Sequence, residues 1–227
     1  MATRPSESKP RRIRRLPDDA RREILDAAEA LLAEHPFREL SVDDLMTRTG
    51  MTRSSFYHYF RSLDEVAIAL MRRVQGEMMQ AVAPWLRTDY EGDPAVAAAR
   101  GIHASAEIFA RHGLVLAAIH EASFHYAAVQ HAWRDGVLGD WIGAIAAQLR
   151  AQRERGLTHV ADPEEIARAL LLMNTSVFVE RLGKRRSDAP EAVAEILAEI
   201  WIGALYPDAL AARRDASAPA GKVGARR

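Results

Sequence analysis

The sequence predicts an all-α fold, with a small N-terminal three-helix unit ahead of a larger helical domain. Three observations lead there. Apolar residues recur at i, i+3, i+4 and i+7 in one segment after another, and no segment alternates apolar with polar as a half-buried strand would. A hydroxyl residue followed three positions later by an acid, the pattern that caps a helix N-terminus, opens two of these segments. A hydrophobic content of 48% in 227 residues is ample for a buried core.

Pro17-Asp18-Asp19 opens the first helix, whose face carries Ile24, Ala27, Ala28, Leu31 and Leu32, and Pro36 ends it. Ser41 with Asp44 caps a second helix running to about Arg48, and Gly50 supplies the left-handed residue that closes it. Thr52 caps a third of under two turns, ending near Phe60. Ser62 with Glu65 opens a long fourth through Met71, Val74 and Met78 to about Ala83, where Pro84 is expected to stop it. Beyond it, helical segments at 94–112, 114–132, 134–156, 163–182 and 190–206 are divided by Gly92-Asp93-Pro94, Gly113, a turn near Trp133, residues 156–163 and residues 183–190. Asp162-Pro163 reads as an N-cap followed by an N1 proline.

The segment ARALLLMNTSVFVERL is apolar on nearly every face and must be covered on both sides. The last segment carries Val193, Ile196, Leu197, Ile200, Trp201, Ala204 and Leu205 as a wide stripe. Helices this apolar predict a homodimer through the last two, 163–182 and 190–206. The expected divisions are an arm over 1–17, a reading unit over 18–62, a helical domain over 63–207 and, from its Ala, Arg, Gly and Pro content, a disordered tail over 208–227.

Composition excludes several function classes. With no cysteine there is no disulfide framework, thiolate metal site or cysteine nucleophile. Neither a signal-peptide core nor a run of about 18 apolar residues is present, so no membrane span is expected and the chain reads as soluble and cytoplasmic. No nucleophile elbow, phosphate-binding glycine loop or dinucleotide fingerprint occurs, so no catalytic residue, cofactor or enzymatic activity is expected. Histidines at 103, 112, 120, 125 and 131 invite a metal site, but His120 and His125 are five residues apart, roughly 140° around a helix. No metal is expected, and Glu121 with His125 reads as a surface i, i+4 pair.

A net charge of zero hides a basic arm: Arg4, Lys9, Arg11, Arg12, Arg14 and Arg15 stand against Glu7 alone in the first 17 residues. Such an arm is either a solubilising tail or a segment that follows the phosphates ahead of a DNA-reading unit. The stretch GMTRSSFYHYF at 50–60 favours the second. Two short capped helices joined by a Thr-Gly-Met turn, packed by Val42, Leu45, Met46, Met51 and Phe56, describe a helix-turn-helix. Its second helix is nearly all surface, as a helix entering a major groove must be, with Phe56 and the aromatic end as anchor. The candidate DNA-binding residues are Thr52, Arg53, Ser54, Ser55, Tyr57, His58 and Tyr59. Tyrosine hydroxyls reach phosphates, and Arg53 can take a guanine edge or a phosphate.

The block SVDDLMTRTGMTRSSFYHYFRSLDEV resembles the N-terminal signature of the TetR family of one-component transcriptional regulators, over roughly residues 18–75. The resemblance implies that Thr52, Arg53, Ser54 and Ser55 face the groove of a double-stranded operator while Tyr57 and Tyr59 bind phosphate. One position departs: where the family usually has a lysine, this chain has Leu63, leaving the arm or Arg61 to make that phosphate contact. The second half resembles one branch of the family, whose sensing domain holds a long apolar tunnel, through LLLMNTSVF, IWIGALY and DWIGAIAAQLRAQRERGL. That likeness implies a small apolar ligand, Asn174 as the polar anchor and Phe109, Trp141, Phe178 and Trp201 as walls. A buried asparagine also suits an orienting hydrogen bond to a ligand carbonyl or amide, or else a contact within the core or dimer. The function expected is a ligand-responsive regulator, a repressor that a small apolar molecule releases from its operator. The alternative is a helical carrier or enzyme with a vestigial N-terminal domain, which would need neither the intact reading helix nor the arm.

Overall fold

The computed structural model describes residues 17–217, all of whose regular structure is helical. The expected basic arm up to residue 16 and the tail beyond 217 lie outside the described residues. Helix α1 (Pro17–Leu32) leads through a single 3-10 turn (Phe37–Glu39) to α2 (Val42–Thr49) and α3 (Arg53–Tyr59). The caps sit where the hydroxyl residues stand. Ser41 Oγ accepts from the Asp44 N–H at 3.1 Å, Thr52 Oγ1 from Ser55 N–H at 3.3 Å, and Ser62 Oγ from Glu65 N–H at 3.3 Å. The Glu65 carboxylate reaches back to the Arg61 N–H at 2.7 Å, one residue further than a standard capping box. Gly50 closes α2 at φ 65°, a conformation only glycine adopts without strain.

Helix α4 (Leu63–Leu86) does not stop at Pro84. A proline in the last turn forfeits a single backbone bond, and continuing the helix buries Trp85 in the core. Helix α5 (Pro94–Ala122) likewise runs straight through Gly113. A Cβ there would sit 2.2 Å from the Leu182 carbonyl oxygen, so this glycine admits a neighbouring helix and is not a break. The real turn follows Ala122, where Ser123 Oγ donates to the His120 carbonyl at 2.6 Å. No turn forms at Trp133: α6 (Ala127–His131) continues through a wider π-wound stretch (Ala132–Val137) into α7 (Leu138–Glu154).

Helix α8 (Pro163–Leu182) opens on Asp162, whose carboxylate accepts from the Glu165 N–H at 3.1 Å, and α9 (Pro190–Leu205) follows. Residues 208–217 of the expected disordered tail fall instead in α10 (Pro207–Ser217), where Ala209 and Leu210 pack back onto the core.

The buried side chains fall into two clusters joined by α4 and α5. One contains the apolar faces of α1, α2 and α3 with Val66, Leu70 and Met71 of α4, Val115 and Ile119 of α5, and Val137. The other joins Trp85 and the first half of α5 to α7, α8 and α9. The three-helix unit therefore has no separate core: it shares one with the foot of the larger domain. Polar ties reinforce the joint. Arg73 of α4 pairs with Asp26, at 2.7 Å, and with Glu29 of α1, while His112 of α5 contacts Glu29 at 2.5 Å and Glu77 at 3.5 Å.

Candidate functional site

Helix α3 is anchored by one residue. Phe56 is fully buried, its ring edge-on to Tyr57 at 5.3 Å and tilted against Phe60 at 5.9 Å. Around it Thr52, Arg53, Ser54, Tyr57 and His58 are exposed, while Ser55 and Tyr59 are half-buried. The three hydroxyls at the helix start form a local network, with Thr52 Oγ1 2.9 Å from Ser54 Oγ and 2.8 Å from Ser55 Oγ. Arg53 donates through Nη1 to Asp43 of α2 at 2.7 Å, a bond that raises its pKa further and that sequence reading did not foresee. Both side chains are exposed, so the pair contributes little to stability. Leu63 packs against the core under α1–α3, so this position serves the fold. Arg61 is exposed, and the Arg21 guanidinium lies 4.7 Å from the centre of the Phe60 ring.

A cavity of about 150 Å³ lies inside the larger domain, between α4, α5, α7, α8 and Trp201 of α9. All five residues singled out for it, Phe109, Trp141, Asn174, Phe178 and Trp201, are on its wall. The Phe109 and Phe178 rings meet at 5.2 Å and those of Trp85 and Trp201 at 6.1 Å, edge-on. Along α4 the lining runs from Met71 to Trp85, fourteen residues or roughly 21 Å of helix. The cavity is therefore long, and its lower end adjoins the head: Met71, Ile119 and Val137 belong both to its wall and to the core under α1–α3.

Asn174 is buried, and its Oδ1 accepts from the Trp201 indole Nε1–H at 2.9 Å. An indole N–H can only donate, so this bond fixes which way the amide points. The Nδ2 group is left as the donor on the cavity wall, which suits a ligand acceptor such as a carbonyl and rejects a second donor. A buried relay holds the upper end: Trp85 Nε1 donates to the Tyr206 hydroxyl at 2.9 Å, which donates to Gln152 Oε1 at 2.6 Å. Burial, the dominant influence, pushes the Tyr206 phenol up to about 12.

The histidines do not converge. Among the described residues no group of three or more His, Asp or Glu side chains could hold a metal ion. Glu121 does not pair with His125, because α5 ends at Ala122; it meets Arg38 at 3.3 Å instead. Sequence reasoning passed over His120, which lines the cavity from the last turn of α5. Its only signal was membership of the histidine cluster. Among the described residues no helix is long and apolar enough to cross a membrane.

Outside the cavity, α9 divides its apolar stripe. Val193, Leu197, Trp201 and Leu205 face the core, whereas Ile196 and Ile200 are 50% and 43% exposed, with Leu172 of α8 47% exposed.

Residues 24–70 match the family described as bacterial regulatory proteins, tetR family, and residues 98–207 match the C-terminal domain of transcriptional regulator EthR. The chain is 32% identical over 191 residues to the HTH-type transcriptional regulator EthR of Mycobacterium tuberculosis (strain ATCC 25618 / H37Rv), covering 83% of this chain and 88% of that one. To the HTH-type transcriptional regulator EthR of Mycolicibacterium smegmatis it is 33% identical over 195 residues, covering 83% and 87%. Its fold is also that of SmeT, the repressor of the Stenotrophomonas maltophilia multidrug efflux pump SmeDEF, at a TM-score of 0.66 and 20% identity, over 82% of this chain and 89% of that one.

Proposed function

Because the chain belongs to the TetR family of bacterial DNA-binding transcriptional regulators, with an EthR-type C-terminal domain, we propose that it is a cytoplasmic, homodimeric repressor released from its operator by a small apolar molecule. One observation carries the release step: Met71, Ile119 and Val137 are at once cavity wall and core of the reading head. Filling the lower cavity pushes on side chains that α1–α3 pack against, and close-packed cores answer by shifting elements. In a two-fold dimer the two recognition helices enter successive major grooves only at about 34 to 36 Å. A ligand favouring any other spacing weakens DNA binding by the same factor by which DNA weakens the ligand, typically worth about 1 to 3 kcal/mol.

Residues take separate roles in this reading. Thr52, Arg53, Ser54 and Ser55 meet base edges and adjoining phosphates, with Arg53 leaving Asp43 to do so, and Tyr57, His58 and Tyr59 meet the backbone. Asn174 donates to a ligand acceptor while Phe109, Trp141, Phe178 and Trp201 enclose its apolar body. The units are the arm 1–17, head 18–62 and sensing and dimerising domain 63–207, with no catalytic role in any of them. Leu172, Ile196 and Ile200 supply the exposed apolar face for the two-fold partner.

The test is a titration. Operator DNA selected from a random-sequence pool by repeated binding is held by the protein and challenged with the ligand that co-purifies, identified by native mass spectrometry. Release of the DNA, blunted in Asn174→Leu, is expected. No release from the wild type, or equal release from the variant, refutes the assignment. Deleting residues 1–15 is expected to flatten the salt dependence by about 0.9 for each phosphate that the arm no longer neutralises.

A further inference from the structure

We infer that the cavity takes an amphiphile with two polar ends, a hydrogen-bond acceptor held at Asn174 and a hydroxyl held at His120. The inference rests on the reading of the cavity as the ligand site and adds the ligand's second end. His120 stands on the cavity wall between two rings, Phe124 at 5.1 Å and Trp133 at 6.2 Å, both edge-on. Among the described residues its ring nitrogens have no hydrogen-bond or ion-pair partner. The hydroxyl and amide side chains toward this end have theirs: Ser123 Oγ donates to the His120 carbonyl at 2.6 Å and Gln75 Nε2 to Asp140 at 3.3 Å. Higher up, Ser105 Oγ donates to the Gly101 carbonyl at 2.8 Å and Thr175 Oγ1 to that of Leu171 at 2.9 Å. An imidazole without a partner, beside an apolar cavity, is where a ligand's polar end gains most.

The ring's state selects the chemistry. Burial holds the His120 pKa below the ordinary histidine range, so the neutral ring, with one N–H donor and one acceptor nitrogen, prevails at physiological pH. A hydroxyl both donates and accepts, so it satisfies whichever nitrogen the tautomer presents. A carboxylate can only accept and would draw the ring toward the cation that burial opposes, and an alkyl end leaves the nitrogen unpaired.

Distance sets the length. The Phe109 ring packs on Phe178, one turn along α8 from Asn174, and His120 lies eleven residues further along α5, roughly 16 Å at the helical rise. The α5 wall between them, Leu116 and Ile119, is apolar. The ligand class is therefore a carbonyl compound with an apolar chain of about that length ending in a hydroxyl.

Two probes of that length, methyl ω-hydroxydodecanoate and methyl dodecanoate, differ only at the far end. Binding to the full chain is followed by the fluorescence of its four tryptophans, Trp85, Trp133, Trp141 and Trp201, all on the cavity wall. The wild type is expected to prefer the hydroxyl-ended ester. His120→Leu is expected to move the ratio of the two affinities about tenfold toward the methyl-ended one, because it strands a hydroxyl in an apolar wall. His120→Gln, which keeps a donor and an acceptor, retains the wild-type preference. Asn174→Leu weakens both esters alike and leaves their ratio unchanged. An unchanged ratio in His120→Leu, or a preference for the methyl-ended ester in wild type or His120→Gln, overturns the inference while the Asn174 effect still supports the ligand site. Failure of both esters to bind the wild type overturns the site along with it.

Discussion

Asn174→Leu separates the fold's use of a buried amide from the ligand's use of it. The Trp201 indole N–H donates to the Asn174 carbonyl at 2.9 Å, and both side chains are buried. Leucine keeps the branched shape, and the adjoining cavity accepts its extra bulk. What is lost is the acceptor: a buried N–H left without one costs about 1 to 3 kcal/mol. For a chain of this size each kcal/mol moves Tm by about 2 to 4 °C, so the variant should melt roughly 2 to 12 °C lower. Trp201→Phe alone orphans the carbonyl instead. Combining the two substitutions removes both partners, so the double variant should be more stable than the sum of the singles predicts, by about 0.5 to 3 kcal/mol. The ligand behaves differently, since the Nδ2 donor is missing from the single and the double variant alike. Ligand affinity should fall roughly three- to tenfold in both, the worth of one net hydrogen bond. Calorimetric melts and fluorescence-anisotropy titrations of DNA release measure the two quantities separately. If the double variant regained ligand affinity together with stability, Asn174 would be only a core residue. If Asn174→Leu melted like the wild type, the indole would have found another acceptor and the assigned amide orientation would be wrong.

Arg53→Ala should weaken operator binding by about 1 to 3 kcal/mol and relax one base position, and Tyr57→Phe should weaken binding across all sequences; both are read by anisotropy, with circular dichroism checking that the fold is intact. Ile196→Asp with Ile200→Asp, on the exposed face of α9, should convert a dimer to a monomer in sedimentation equilibrium; an unchanged mass would place the partner elsewhere. Gly113→Ala should destabilise by about 1 to 3 kcal/mol, because its Cβ meets the Leu182 carbonyl, which is backbone. Gly143→Ala in α7, where a Cβ meets nothing within 4 Å, should instead gain up to about 1 kcal/mol of helix propensity; urea unfolding compares the two. Tyr206, with its phenol raised by burial from 10.0 to about 12, keeps its proton in the native state while the unfolded chain loses it above about pH 10. Its stabilisation is whole below that pH and is lost as pH climbs to about 12, roughly 2 to 3 kcal/mol; Tyr206→Phe should abolish that part of the alkaline loss in urea unfolding.

Some features of this protein are written within a turn or two of chain, and those were legible in the sequence. Ser41, Thr52, Ser62 and Asp162 each cap the helix that follows, because a side-chain oxygen three residues from an orphan N–H needs nothing else to make the bond. Gly50 closes α2 for an equally local reason, and the outward residues of α3 follow from a seven-residue helix with Phe56 as its buried anchor. The five cavity residues came from likeness to a family and not from periodicity, since a wall and a solid core carry the same apolar pattern. What needed the tertiary structure were the places where distant segments meet. Gly113 and Trp133 looked like breaks; one is instead the notch for the end of α8, sixty-nine residues away, and the other lies in a continuous π-wound stretch. Pro84 looked like a stop, but burial of Trp85 outweighs one missing hydrogen bond. Asp43 beside Arg53, and the indole that orients Asn174, are likewise pairings between elements. Above all, only packing shows that Met71 and Ile119 serve the cavity and the head together, because close packing makes neighbours of residues that no spacing along the chain relates.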